Sequence, residues 1–274
     1  MPDRRKVNPK DRQRRLRPVR PPKKTELIVR REIARVYQSV FIDPAAMEAW
    51  VNMTAPLTEV MATLEKMREV FRSSREAVRI AQGWAESVSE ETRKSMQENL
   101  AKALGVDHTT IFDDPYIKGK AQAAARGAVD LIESIPAEYL NQVEQAVLLH
   151  YQQKPQPEGR SLIEQIQHVG GVSRERAIMI ARDQTAKMNG AMAEARNVAL
   201  GIEEYIWRTA KDSRVVGNPA GHFPKGTAKH GNHWDREGKK FRWDDPPFDG
   251  HPGQAIMCRC WAESIVDMSK LRMT

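Results

Sequence analysis

From about residue 26 to residue 200, apolar side chains recur at intervals of three and four, the period of a helix with one face turned inward. Leu57, Val60, Met61, Leu64, Met67 and Phe71 follow Pro56, a residue suited to a first helical turn. Glu59, Glu65, Lys66, Arg68 and Glu69 fall on the other face, so this segment is predicted to be an amphipathic helix packed into a core. Further helices are predicted near 26–41, 86–104, 119–134, 137–152 and 161–169. Ser87 with Glu90 and Ser161 with Glu164 have capping-box spacing, in which a hydroxyl and a carboxyl reciprocally satisfy free amides at a helix start. Gly105, Asp113-Asp114-Pro115 and the stretch 154–159, with its two prolines and a glycine, read as loops, the last as an internal linker.

Ser173 is predicted to cap a longer helix reaching residue 199, with Ala177, Ala181, Met188, Met192, Ala195 and Ala199 on one stripe. Arg182, Lys187 and Arg196 lie off the stripe and read as a solvated face. The character changes after Gly201. Segments 205–210 (YIWRTA), 240–243 (KFRW) and 258–266 (CRCWAESIV) are short, rich in aromatic and β-branched residues, and separated by Gly, Pro and Asn, the signature of strands. The predicted fold class is α+β: a mostly helical N-terminal region, then a long helix, then a small C-terminal α+β module with short strands.

The 274 residues can bury a core without disulfides. No run of about 18 apolar residues occurs, and the basic N-terminal stretch lacks the apolar region of a signal peptide. A soluble protein of a reducing compartment, with no membrane partner, is expected. The formal net charge of +8 is unevenly placed. Arg4, Arg5, Lys6, Lys10, Arg12, Arg14, Arg15, Arg17, Arg20, Lys23 and Lys24 stand against only Asp3 and Asp11 in the first 24 residues, among prolines and few apolar side chains. Such a segment is predicted to be a disordered basic arm whose cations contact nucleic acid phosphates, the alternatives being an acidic protein surface or a merely solubilising tail. The predicted domains are therefore 1–24, the arm; 25–154, the helical region; and 155–274, the C-terminal domain.

Both cysteines, Cys258 and Cys260, lie one residue apart. On a strand, residues i and i+2 face the same side roughly 6.5–7 Å apart at Cα, at or beyond the reach of a disulfide. Two readings remain. In the first, both are reduced, buried side chains on the inner face of a strand, with Arg259 pointing out and no cofactor bound. In the second they are thiolate ligands of zinc, whose tetrahedral geometry sets sulfurs roughly 3.8 Å apart, with His233 and His251 as partners. Asp212 and Arg214 follow the first strand; Asp212 is suited to receiving turn amides or pairing with Arg214, or, on an enzymatic reading, to acting beside His233. The chain contains no GxGxxG, P-loop or GxSxG motif.

Four segments occur in a distinctive order: R-D-Q-T-A-K-M-N (182–189), G-I-x-x-Y-x-W-R-T-x-x-D-x-R (201–214), H-W-x-R-x-G-K-x-F-x-W-D-D-P-P (233–247) and H-P-G-Q-x-x-x-C-R-C (251–260). This order resembles the phage head morphogenesis domain of Mu-F-like minor head proteins, over roughly residues 160–267. The resemblance implies a minor capsid protein of a tailed bacteriophage, portal-associated, with no catalytic activity in the shared domain. Its expected place is the phage head, and the host cytoplasm during assembly. Portal and other capsid proteins would be its partners, with DNA met through the basic arm in packaging or ejection. The alternative is a metal-dependent, nuclease-like enzyme using Asp212, His233, His251 and the cysteines.

Overall fold

The computed structural model of the chain describes residues 13–38, 42, 44–73, 75–105, 115–226 and 230–271. Within them lie a short strand β1 (Gln13–Arg15) and six helices: α1 (Lys23–Gln38), α2 (Pro44–Val51), α3 (Leu57–Ser73), α4 (Glu76–Leu104), α5 (Pro115–Tyr151) and α6 (Leu162–Ala199). Three strands follow: β2 (Glu204–Thr209), β3 (Lys240–Arg242) and β4 (Cys260–Asp267). The fold class is α+β led by helices, with a small antiparallel sheet near the C-terminus. Among the described residues, no helix is long and apolar enough to cross a membrane.

The chain forms two compact units, both discontinuous in sequence. Residues 26–84 and 125–181 make one; residues 1–25, 85–124 and 182–274 make the other. The linear division expected at 154/155 therefore does not describe the folded chain. Residues 154–159 form a tight turn between α5 and α6, where Gln156 Nε2 donates to Ala146 O (2.7 Å).

The helical unit has a core in which Val60 and Leu64 of α3 meet Tyr139, Leu140, Val143 and Val147 of α5 and Leu162, Ile166 and Val169 of α6. Trp50 of α2 joins the same cluster. The Tyr151 hydroxyl donates to Ala55 O (2.6 Å), closing the connection after α2 onto the end of α5. Ser161 and Glu164 form the predicted capping box: the Ser161 amide donates to Glu164 Oε2 (2.8 Å), and the Glu164 amide returns a bond to Ser161 Oγ (3.3 Å).

Two predicted breaks are absent. Helix α5 runs through Pro136 and α6 runs through Gly170-Gly171, so Ser173 is a buried interior residue rather than a cap. In each case buried side chains flank the weak point, Ile132, Ile135 and Tyr139 in α5 and Val169 and Ala177 in α6. Packing of this kind outweighs the local cost of Pro or Gly in a helix. Ser87 likewise lies inside α4, which begins eleven residues earlier at Glu76.

In the second unit the sheet order is β1-β4-β2-β3, every pair antiparallel. Strand β1 was not foreseen. It pairs Gln13 with Asp267 and Arg15 with Ile265, and Leu16 then enters a core with Met96 and Leu100 of α4, Leu200, Ile202 and Val266. The disordered-arm expectation is thus corrected from Gln13 onward, while Arg4, Arg5, Lys6, Lys10 and Arg12 lie outside the described residues. One buried leucine and a set of backbone bonds hold the segment despite its charge. Leu16 N donates to Ser264 O (3.0 Å), Asn99 Nδ2 to Arg17 O (2.9 Å) and Asn189 Nδ2 to Val19 O (3.1 Å). The Arg20 guanidinium lies 4.7 Å from the Trp261 ring centroid, while Arg14, Arg15, Arg17, Lys23 and Lys24 stay exposed.

Arg196, expected on a solvated face, is instead buried, and its guanidinium donates to Ser89 O (2.9 Å) and Ser89 Oγ (2.8 Å) on α4.

Candidate metal centre

Strands β2 and β4 lie side by side, with Thr209 opposite Cys260 and Trp207 opposite Ala262. Period-two alternation sends Tyr205, Trp207 and Cys260 into one apolar cluster with Trp243. The segment before β4 is held against α6. The Met257 amide donates to Asp183 Oδ1 (2.6 Å), and a side chain at Gly190 would lie 3.0 Å from Pro252 O. Gly253 has φ +91°, and a Cβ there would approach Ala186 O to 3.1 Å, so this turn needs a left-handed residue and is tight for any side chain.

The turn brings Cys258 and Cys260 to one point. Cys258 Sγ is 3.5 Å and Cys260 Sγ 3.6 Å from Nδ1 of His233, and the three donor atoms lie within 4.8 Å of one another. His233 and Cys260 are buried and Cys258 is half-buried; both cysteines are free thiols. On its other side, His233 Nε2 donates to Asp249 Oδ2 (2.8 Å), and Asp249 Oδ1 accepts from Arg236 Nη1 (2.7 Å). The Arg236 guanidinium also lies 4.8 Å from the Trp207 ring centroid. The Gly253 amide donates to Cys258 Sγ (3.4 Å).

The electrostatics of the cluster favour one thiolate beside positive charge. The hydrogen bond from Cys260, then His233 and the Gly253 amide, hold the Cys258 thiol well below its ordinary value against the effect of burial. Cys260 is pushed far up by the bond to Cys258 and by burial. Burial lowers His233, but Cys258 and then Asp249 more than offset it and leave the imidazole above its ordinary value. Positive charge beside Cys258 can come from a proton on His233 or from a metal ion.

The four residues foreseen as ligands divide. His233, Cys258 and Cys260 converge, but His251 does not join them. Its Nδ1 bonds with the Tyr205 hydroxyl (2.9 Å) and its Nε2 with Trp243 O (3.1 Å), so both ring nitrogens are engaged inside the aromatic cluster. Burial lowers the His251 pKa, in keeping with a neutral ring. Asp212 also stands apart: its Oδ1 accepts the Arg214 amide (3.1 Å), the expected turn bond, while Oδ2 pairs with Arg259 (2.6 Å) rather than with the Arg214 side chain. Arg259 therefore does not simply point into solvent. Asp249 was not singled out from the sequence, and Arg236 entered only as the fixed R of the H-W-x-R motif. The aspartate sits two residues before His251 in a Pro/Gly-rich stretch that reads as loop, and only its distance from His233 reveals its role.

The cluster forms part of the wall of a cavity of about 460 Å³, which Arg182, Arg214, His222, Phe223 and His230 also line. An α+β unit with a His-Cys-Cys cluster facing a basic cavity is what the fold and site define. No family model matches the chain, and no solved structure matches it. The chain is similar to an uncharacterized protein of Haemophilus influenzae (strain ATCC 51907 / DSM 11121 / KW20 / Rd), at 29% identity over 277 residues. The match covers 95% of this chain and 57% of that protein, so the chain spans little more than half the length of its relative.

Proposed function

We propose that this protein is a minor head protein of a tailed phage, a non-catalytic assembly component that works at the portal. The observation that carries the reading is the ordered set of four motifs between residues 182 and 260, together with how their side chains are used. Asp183 binds the Met257 amide, Tyr205 binds His251, Asp212 binds Arg259, and His233 meets both cysteines. Motif residues spent on one another suit a rigid body that presents surfaces to partners. On this reading the helical unit contacts the portal or capsid; Leu27 and Ile28 on α1 are each about half exposed and offer apolar anchors. The basic segment, whose Arg14, Arg15 and Arg17 are exposed along the sheet edge, meets DNA.

The test is particle assembly in a phage lacking the gene, with copurification on the portal ring. Complementation should use full-length variants, because a fragment of residues 155–274 would lack β1 and α4 and could not complete the sheet-bearing unit. Loss of infectious heads, rescue by the parent chain, and failure of a Leu27→Asp, Ile28→Asp variant are expected. Normal particles without the protein, or plasmid nicking by the purified chain, would overturn the proposal.

A further inference from the structure

We infer that His233, Cys258 and Cys260 bind one zinc ion through Nδ1 and the two Sγ atoms, leaving a fourth coordination position open to the cavity. Such a site is independent of the head-assembly reading and rests on geometry.

Zinc bonds of about 2.3 Å to sulfur and 2.0–2.1 Å to nitrogen, at tetrahedral angles, put sulfur and nitrogen roughly 3.5–3.6 Å apart. The two observed separations, 3.5 and 3.6 Å, match that edge. A neutral imidazole nitrogen has one lone pair and accepts one S–H well. Two sulfurs equally close to the same nitrogen instead share a point that all three can ligate.

The surroundings complete the arrangement. Asp249, fixed by Arg236, accepts the hydrogen bond from Nε2–H and so turns the Nδ1 lone pair toward the sulfurs. A carboxylate behind a ligating histidine is the usual support that fixes its tautomer and orientation. The Gly253 amide on Cys258 Sγ supplies an N–H to thiolate bond of the kind that offsets ligand charge. Two thiolates and one imidazole suit zinc over the hard oxygen-seeking cations. Among the described residues, no further His, Cys or carboxylate joins the three, and all three face the cavity that Arg182 and Arg214 line. Three protein ligands with an open position is the pattern of an exchangeable site, and the neighbouring arginines favour an anion as the fourth ligand.

The experiment uses the full chain, purified without chelators. Elemental analysis is expected to find one zinc per chain, and cobalt(II) substitution to give sulfur-to-cobalt charge-transfer bands with tetrahedral visible bands. Cys258→Ser and Cys260→Ser should each weaken the charge transfer by about half and release the metal to a chelator that the parent resists. Asp249→Asn should lose about 10–100-fold in affinity by chelator competition while still binding one ion at saturation. Should the serine variants fail to fold, the parent's cobalt spectrum decides by itself. Added azide should shift the visible bands; an unchanged spectrum would overturn the open position. A folded, fully reduced chain that binds neither zinc nor cobalt would overturn the site, as would metal retained without both cysteines.

Discussion

Replacing Leu16 by alanine tests whether the basic N-terminal segment is part of the folded sheet. The side chain is 3% exposed and packs among Met96, Leu100, Leu200, Ile202 and Val266. The substitution removes three buried carbons, worth about 0.8 kcal/mol each as transfer free energy. The cavity left among five large side chains adds to this, so a loss of about 3–4 kcal/mol is expected. Arg17→Ala is the control, since Arg17 is exposed and its bond with Asn99 is made by the backbone carbonyl; it should change stability by no more than about 0.5 kcal/mol. Urea unfolding followed by tryptophan fluorescence measures the global cost. Hydrogen exchange at residues 264–267 catches the case in which the segment peels off before the rest unfolds. If Leu16→Ala matches Arg17→Ala in urea and leaves β4 exchange unchanged, the segment is not held as described.

Gly171→Ala should raise stability by about 0.5–1 kcal/mol in thermal melting, because the glycine sits inside α6 and a Cβ there meets nothing within 4 Å; a loss would mean that α6 bends or breaks at this point. Burial raises Glu237, but the Thr209 amide and hydroxyl, Arg208 and Lys211 outweigh it and hold its carboxyl below the ordinary value. Its contribution to stability is therefore complete above the unfolded carboxyl pKa and lost as pH falls through the lower, folded one. Glu237→Gln should cost stability at neutral pH and flatten the acid limb of a melting-temperature profile, and an unaltered acid limb would contradict that linkage. Changing Arg14, Arg15 and Arg17 together to Gln should reduce the log–log salt slope of duplex binding by about 0.9 for each phosphate that is no longer neutralised. An unchanged slope would remove this stretch from the DNA-binding surface. Substitution is preferable to deletion here because deletion would also strip β1 from β4.

Where local pattern and burial agree, the sequence is a good guide. The stripe from Leu57 to Phe71, the Ser161–Glu164 box and the three C-terminal strands were all legible, because each is decided by spacing within about a dozen residues. Misreadings arose where distant packing overrides local preference. Pro136 and Gly170-Gly171 look like breaks until Ile135, Tyr139, Val169 and Ala177 are seen to be buried beside them. Arg196 looks like a surface cation until Ser89 is found against it. Among its described residues the basic segment sends Leu16 into the core, with Val19 packed beside it, and nothing near them in sequence announces β4. In the site, two of the converging residues are one residue apart in sequence and were easy to pair. Choosing His233 over His251 required three-dimensional knowledge of which imidazole already had both nitrogens engaged.

The pairing of β1 with β4 also sets an order of events in synthesis. Gln13 and Asp267 are about 250 residues apart, so the edge of the sheet cannot close until the second partner has left the ribosome. At about 5–20 residues per second, Leu16 waits on the order of tens of seconds for Val266. Helix α4 emerges early and must carry Met96 and Leu100 without their final cover during that interval. The helical unit has all its residues by 181 and is free to fold first, which makes the sheet-bearing unit the late step and the one exposed to premature association.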